Sequence, residues 1–290
     1  MESKTNKSLG QHWLRDAVTL ADIAGHANLT LDDTVLEIGP GLGTLTSVLA
    51  EQAGHVVAVE FDRELAEKLT SELAGDAPRG SAQKCFSKKK FLGANGEAGP
   101  AGDIKIINAD FLQFDLDQMP AGYKVVANIP YYITNKIVMK LLTAANKPQL
   151  AVLLVQKEVA QRLAAEPGEM SILAVAAQLY STVDLGQVVP AAMFDPPPKV
   201  DSQIVILRPH LAGSFLAKDI DEKQFFRVVK AGFSARRKKL RTALAGGLNI
   251  SVADAEKLLR TANIDPNLRA QDLSLGDWRK LSLQATNLQK

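Results

Sequence analysis

Five short and nearly continuous apolar runs recur through the first half of the chain. They are TVLEIG (34–39), HVVAVE (55–60), IKIINAD (104–110), KVVANI (124–129) and AVLLVQ (151–156). Runs of this kind are typical of strands that are buried on both faces of a parallel sheet. The stretches GTLTSVLAEQA and RELAEKLTSELA, which separate the first three runs, have helical periodicity. This alternation predicts an α/β fold with a doubly wound, mostly parallel sheet.

The second half of the chain adds two strands and then changes character. TVDLGQVVP (182–190) and SQIVILRP (202–209) flank the turn FDPPPK, which predicts an antiparallel hairpin at the end of a seven-stranded sheet. From about residue 213 the patterns EKQFFRVVKAGF, RRKKLRTALAG, SVADAEKLLRTAN and SLGDWRKLSLQAT favour helices. We therefore expect a sheet domain over 1–212 and a small helical domain over 213–290. Residues 76–102, rich in Gly, Ala and Lys, predict a long, flexible insert in the first domain.

Composition narrows the class of protein. The chain has 290 residues, 46% of them hydrophobic, yet no apolar run reaches the roughly 18 residues of a membrane span. Its single cysteine, Cys85, excludes an internal disulfide framework and is typical of a reducing compartment. The four histidines are scattered and have no cysteine neighbours, so no metal site is predicted. We expect a cytoplasmic monomer that contacts no membrane.

A glycine-rich turn joins the first predicted strand to the first helix. In LEIGPGLGTLT, Gly39, Gly41 and Gly43 allow the backbone to approach a ligand and leave helix N–H groups accessible. A dinucleotide fingerprint requires a sixth-position glycine, and Thr44 stands there instead. Glu37 precedes the turn and completes the pattern E-x-G-x-G-x-G.

Acidic residues close the next two strands. Glu60 ends the second predicted strand and can accept hydrogen bonds from ribose hydroxyls, while Asp110 ends the third. Carboxyl ends of parallel strands share one edge of the sheet, where ligands bind. The chain has no phosphate-loop lysine after its glycines. The ligand predicted from these residues is an adenosine that carries little phosphate.

The fourth strand ends abruptly in NIPYYIT, so Asn128 lies beside that ligand. Together, EIGPGLGTLT and NIPYYIT resemble an S-adenosylmethionine-dependent adenine amino-methyltransferase. KSLGQHWL, FDPPPKVDS and FSARRKKLRTAL are similar to motifs of the ribosomal RNA adenine dimethyltransferase family. The resemblance runs from about Lys7 to the C-terminus, interrupted mainly by 76–102. It implies a Rossmann-like fold, S-adenosylmethionine as cofactor, and dimethylation of two adjacent adenosines near the end of small-subunit ribosomal RNA.

The chemistry of an adenine amine explains an asparagine at this point. Its lone pair is delocalised into the ring, and two hydrogen-bond acceptors on its hydrogens would favour a tetrahedral nitrogen. Asn128 offers one acceptor, and the family pattern implies that the Ile129 carbonyl offers the other, with Pro130 fixing the turn. The resemblance further implies that Tyr131 stacks on the base and that Phe194 closes its other side.

The resemblance also implies a set of cofactor contacts. These are His12, Leu14, Gly39, Gly41, Glu60, Asp110 and Asn128. Two residues depart from the family pattern, since His12 stands where Asn is usual and Trp13 where Phe is usual. Tyr132 has no role in the pattern, and we expect it to be structural.

Charge divides the chain in the same place as the predicted domains. Residues 1–212 carry a net charge of −5 and residues 213–290 carry +7. Five cations fall within six positions at the start of a predicted helix: Arg236, Arg237, Lys238, Lys239 and Arg241. Such a run suits phosphate contacts, and the family places RNA-contacting residues here. Lys88, Lys89 and Lys90 of the insert could add a further contact.

Three alternatives remain at this point. A methyltransferase that modifies large-subunit ribosomal RNA and confers antibiotic resistance shares the NIPY-type motif, although NIDPNLRAQDLSLGDW and FDPPPKVDS favour the small-subunit branch. A non-catalytic factor that binds the assembling small subunit would keep the fold and the basic surface. A nicotinamide oxidoreductase is disfavoured by Thr44.

Overall fold

The computed structural model describes residues 12–74, 102–210 and 221–287. The chain divides into two compact units, one of Met1–Ala160 with Asp184–Pro209 and the other of Gln161–Val183 with His210–Lys290. The segment Gln161–Val183 therefore groups with the C-terminal helices. The domain boundary at 212/213 stays a prediction, and the insert 76–102 lies, except for Gly102, outside the described residues.

All seven predicted strands are present in one sheet. The described strands are β1 (Trp13–Leu14), β2 (Thr34–Ile38), β3 (His55–Glu60), β4 (Asp103–Asn108), β5 (Lys124–Asn128), β6 (Leu150–Gln156), β7 (Ser181–Val189), β8 (Phe194–Asp195) and β9 (Ser202–Pro209). The sheet order is β4-β3-β2-β5-β6-β9-β7. The pairs from β4 to β6 are parallel, and β9 runs antiparallel to β6. The predicted fold is confirmed, and a two-stranded ladder of β1 with β8, which the sequence did not predict, is added to it.

Five of the helices that connect these strands begin in the first unit, and four of them lie wholly within it. They are α1 (Ala17–Gly25), α2 (Thr44–Gln52), α3 (Arg63–Ala74), α4 (Thr134–Thr143) and α5 (Lys157–Leu163). The side chain of Asp16 caps α1 by accepting a hydrogen bond from the Thr19 N–H at 2.8 Å. Helix α2 starts directly after Gly43, and its Leu49 packs in the core with Val56 and Val126 of the sheet. This core fixes the register of the strands whose carboxyl ends carry the candidate site.

The second unit is helical. Its helices are α6 (Ile172–Tyr180), α7 (Glu222–Phe233), α8 (Leu240–Leu248), α9 (Val252–Thr261) and α10 (Leu275–Asn287). Trp278 is fully buried at the centre, and the ring of Phe233 stacks on it with 5.5 Å between centroids. The sequence predicted that the cationic run begins a helix, and this is wrong. Because α7 ends at Phe233 and α8 begins at Leu240, residues 236–239 lie in the connecting turn.

Membrane-spanning helices and metal-binding clusters are both absent from the described ranges. Among the residues that the structure describes, no helix has the length and apolar character required to cross a bilayer. Within the same ranges, no cluster of three or more His, Cys, Asp or Glu side chains has the arrangement of a metal site.

Candidate active site

The glycine turn between β2 and α2 has a backbone that only glycine adopts readily. Gly39, Gly41 and Gly43 have φ angles of +69°, +55° and +76°. A Cβ atom on Gly41 would also collide with the ring of Trp13, which lies against the turn. The turn therefore has both a left-handed conformation and a close side-chain neighbour. It lines a cleft at the carboxyl ends of β2, β3 and β5.

Glu60, the last residue of β3, holds this turn in place. Its Oε2 accepts a hydrogen bond from the Gly41 N–H at 3.0 Å, and its Oε1 accepts one from the Asp62 N–H at 2.8 Å. Burial raises the pKa of Glu60, and these backbone hydrogen bonds act in the opposite direction. Each carboxylate oxygen keeps further acceptor capacity, which a ribose hydroxyl could use.

Glu37 is the most buried carboxyl of the cleft. It lies in β2, its side chain is 1% exposed, and its Oε2 has no hydrogen-bond partner. Burial raises the pKa of Glu37 to about 8, and the nearby Glu60 contributes in the same direction. An unpaired buried carboxyl is costly, and a cationic ligand group would relieve that cost. The sequence placed Glu37 in the glycine pattern but did not assign it a role.

The end of β5 carries two acceptors that no described residue uses. The carboxamide of Asn128 makes no hydrogen bond within the described ranges, and no described donor reaches the Ile129 carbonyl oxygen. By contrast, the Pro130 carbonyl accepts hydrogen bonds from the Ile133 N–H and the Thr134 hydroxyl, each at 3.3 Å. Asn128, Ile129 and Pro130 all line the cleft. The geometry thus leaves two adjacent acceptors available at its wall.

Tyr131 is held by contacts on both ends of its side chain. Its hydroxyl is 2.6 Å from the Ser202 hydroxyl, and its ring stacks on His12 with 5.9 Å between centroids and 25° between planes. The Nδ1 of His12 is 2.7 Å from the Pro196 carbonyl, to which it donates a hydrogen bond. Burial raises the pKa of Tyr131, so its hydroxyl stays protonated. His12, one of the two residues that depart from the pattern expected from the sequence, therefore packs its ring against Tyr131.

Two predicted site residues do not line the cleft. Phe194 is only 4% exposed, lies in the hydrophobic core, and pairs on β8 with Leu14 of β1. Asp110 lies two residues beyond the end of β4, where its Oδ1 accepts a hydrogen bond from the Leu112 N–H at 2.8 Å. The other cofactor candidates, His12, Leu14, Gly39, Gly41, Glu60 and Asn128, line the cleft together. The individual site assignments remain predictions.

Phe61, Tyr132 and Thr44 are further cleft residues to which the sequence assigned no role. Phe61 and Tyr132 line the cleft and are 61% and 64% exposed, so neither is a core residue. The expectation that Tyr132 is structural is not supported by this exposure. Thr44 connects the glycine turn to β1, because its hydroxyl donates to the Leu14 carbonyl at 3.0 Å. Phe61 could have been predicted as a cleft residue, because it is an aromatic residue directly after Glu60, the acidic end of β3.

The cationic turn of the second unit is less uniform than its sequence. Arg236, Arg237 and Lys238 are exposed and form no ion pair among the described residues. Lys239 donates to the Asn267 side chain at 2.9 Å. Arg241, already in α8, is partly buried and forms a 2.7 Å ion pair with Glu256. Three of the five cations therefore have no ion-pair partner among the described residues. Lys88, Lys89 and Lys90 lie outside the described residues.

The sheet order, the glycine turn and the acidic end of β3 define a Rossmann-like methyltransferase. A family model described as ribosomal RNA adenine dimethylase matches residues 2–81 and 87–287. Ribosomal RNA small subunit methyltransferase A of Dehalococcoides mccartyi is 39% identical, over 97% of this chain and 88% of that protein. The chain belongs to the ribosomal RNA adenine dimethylase family, which confirms the resemblance seen in its motifs.

Solved structures agree with this fold. A dimethyladenosine transferase from Plasmodium falciparum matches with a TM-score of 0.73 and 24% identity, covering 95% of this chain and 98% of that one. The 23S rRNA methyltransferase ErmE matches with a TM-score of 0.70 and 28% identity, covering 94% of this chain and 98% of that one.

Proposed function

We propose that the protein transfers methyl groups from S-adenosylmethionine to the exocyclic N6 of two adjacent adenosines near the 3' end of small-subunit ribosomal RNA. The product would be dimethyladenosine, formed in the cytoplasm on the RNA or on the assembling small subunit. The observation that carries the proposal is the pair of unused acceptors, Asn128 Oδ1 and the Ile129 carbonyl, at the wall of an acid-lined cleft.

These acceptors suit an adenine amine. Two acceptors on its hydrogens draw the nitrogen toward tetrahedral geometry, so the lone pair becomes available for attack. Pro130 fixes the turn that carries both acceptors, and Tyr131, anchored at its hydroxyl by Ser202, offers a ring face for the base. Alignment of two reactants can remove roughly 7–11 kcal/mol of barrier. The chain's contribution is therefore positioning and hydrogen bonding.

The same cleft fits the proposed cofactor. When bound, S-adenosylmethionine supplies an electrophilic methyl group on a sulfonium centre. Glu60 would accept hydrogen bonds from the ribose hydroxyls, and the unpartnered Oε2 of buried Glu37 suits the ammonium of the methionine part. Gly41 allows close backbone approach, and exposed Phe61 offers an apolar face beside Glu60.

The RNA contact is proposed for the turn between α7 and α8. Arg236, Arg237 and Lys238 are exposed and form no ion pair with any described residue, so they can neutralise phosphates without first losing such a partner. Lys239 and Arg241 contribute less, since both already have side-chain partners.

The test is transfer of labelled methyl groups from S-adenosylmethionine to unmodified small ribosomal subunits, with large subunits and free RNA in parallel. Label confined to small-subunit RNA is expected. Label in large-subunit RNA would instead assign the protein to the activity named for ErmE. Bound cofactor without label in any sample would contradict the proposal and favour an assembly factor without catalysis.

A further inference from the structure

Two consecutive tyrosines follow Pro130, and their surroundings differ. Tyr131 is partly buried, hydrogen-bonded to Ser202 and stacked on His12. Tyr132 is 64% exposed and makes no hydrogen bond or ring contact within the described ranges. A single exposed aromatic residue is common on protein surfaces and would by itself carry no conclusion. Its position in the cleft is what distinguishes Tyr132.

Tyr132 lies at the cleft beside the candidate catalytic residues. It lines the cleft with Asn128 and Tyr131, and the short 3-10 turn Tyr131–Ile133 fixes its backbone. The residue therefore lies next to the place where an adenosine would enter, and its exposed ring is available for contact. A tyrosine loses little conformational freedom on stacking, and every nucleobase has a face on which an aromatic ring can stack.

An exposed cation follows one turn later. Lys136, in the first turn of α4, is exposed and forms no ion pair among the described residues. An exposed aromatic ring and an exposed ammonium four residues apart match the two parts of a nucleotide, its base and its phosphate. The acidic side of the cleft, with Glu37 and Glu60, is unsuited to a phosphate.

We propose that Tyr132 and Lys136 form a subsite for the nucleotide next to the target adenosine. The ring of Tyr132 stacks on the neighbouring base, and Lys136 contacts the adjoining phosphate. This inference rests on the proposed function, because it takes the base held at Asn128 to be an adenosine of single-stranded RNA. It assigns to Tyr132 recognition of the RNA strand rather than of the cofactor.

The test uses a short single-stranded RNA with 2-aminopurine directly beside the target adenosine, bound in the presence of S-adenosylhomocysteine. Stacking on Tyr132 quenches the fluorophore, so wild type and Tyr132→Phe should quench it and Tyr132→Ala should not. The KM for RNA should rise roughly 5- to 150-fold in Tyr132→Ala, the equivalent of 1–3 kcal/mol of stacking. The kcat and the Kd for S-adenosylmethionine should stay within about twofold.

Matched variants separate the parts of the subsite. Lys136→Ala should weaken RNA binding and reduce its salt slope by about 0.7, whereas Tyr132→Ala should leave the slope unchanged. Leu31→Ala is the control, since Leu31 is exposed and lies three residues before β2. It is therefore at the amino end of that strand, whereas the cleft is at the carboxyl end. The Leu31→Ala variant should behave as wild type.

Several results would overturn the subsite. Unchanged quenching and KM in Tyr132→Ala would do so, and so would a loss in Tyr132→Phe as large as in Tyr132→Ala. A raised Kd for S-adenosylmethionine with unchanged RNA binding would place Tyr132 at the cofactor instead. The fluorescence assay measures RNA binding without turnover. A failure of the subsite proposal can therefore be distinguished from a failure of the proposed methyl transfer, which is measured with the wild-type protein.

Discussion

The cleft at the sheet edge and the turn between α7 and α8 use polar groups in opposite ways. In the cleft, Glu37 and Glu60 are buried, and the acceptors at Asn128 and Ile129 have no described partner. In the turn, the cations at 236–238 are exposed to solvent. Buried hydrogen-bonding groups depend on geometry and are little screened by salt, while exposed charges are screened over a Debye length and depend strongly on salt. The cleft should therefore control chemistry, and the turn should control affinity for RNA.

The largest effect on this contrast between cleft and turn is expected from Asn128→Ala. The variant should lower kcat by about 10²–10³-fold or more, since one preorganised hydrogen-bonding group is lost at the reacting nitrogen. Its Kd for S-adenosylmethionine should change much less. Single-turnover methylation and calorimetric binding measure the two quantities. The control is Asn135→Ala, in an exposed position of α4, and retained turnover in Asn128→Ala would remove Asn128 from the mechanism.

The buried carboxyl of Glu37 predicts that stability depends on pH. In the folded protein Glu37 keeps its proton up to about pH 8, whereas its ordinary pKa is 4.5. The folded state therefore binds more protons between these values, and the free energy of unfolding should fall as pH rises through them. The fall should be up to roughly 5 kcal/mol, and Glu37→Gln should abolish most of it.

Denaturant unfolding from pH 5 to pH 8.5 checks this prediction. Cofactor affinity should rise over the same window, because an ammonium ligand favours the Glu37 carboxylate. If wild type and Glu37→Gln share one pH profile for unfolding, Glu37 does not hold its proton in the folded state.

The glycine turn tests how strongly the cleft depends on backbone geometry. Gly41→Ala should destabilise the fold by more than the roughly 1–2 kcal/mol cost of a left-handed alanine, because its Cβ would also collide with Trp13. Gly122→Ala is the matched control, with φ of +79° and no atom within 4 Å of an added Cβ. Thermal unfolding and cofactor binding compare the two. Equal losses in both variants would show that Trp13 imposes no constraint on the turn.

The smallest expected effect belongs to the cationic turn. Replacing Arg236, Arg237 and Lys238 together with Ala should reduce the salt slope of RNA binding by about 2, near 0.7 per lost phosphate contact. The kcat at saturating RNA should be unchanged. Arg241→Ala should instead lower stability by about 1 kcal/mol or less through loss of its pair with Glu256. A triple variant with the wild-type slope would return these cations to ordinary solvated charge.

The sequence could predict the sheet edge because buried strands end where their apolar runs end. Glu60 and Asn128 are the last residues of β3 and β5, as the runs indicated, and the glycines have the left-handed backbone their spacing suggested. Asp110 was predicted to end its strand, but β4 ends at Asn108. The prediction missed this end because an apolar run does not show where strand pairing stops.

The features that the sequence could not predict depend on contacts between segments that are distant along the chain. The ladder of β1 with β8, which buries Phe194, joins segments about 180 residues apart and has only two residues in each strand. The cationic run was misassigned to a helix because Arg and Lys favour helices, while α7 and α8 end and begin around it. The exposure of Tyr132 and the orphaned oxygen of Glu37 depend on neighbours from other elements, so no local pattern encodes them.

The most direct test of the account is where the methyl groups lie on the product. Unmodified small ribosomal subunits would be incubated with the wild-type protein and S-adenosylmethionine, and the RNA digested to nucleosides for mass spectrometry against standards. The two unused acceptors at Asn128 and Ile129 predict methylation at the exocyclic N6 of adenosine, and membership of the dimethylase family predicts a second methyl group on the same nitrogen. Methylation of a ring nitrogen, of another base or of the ribose would contradict the role given to those acceptors.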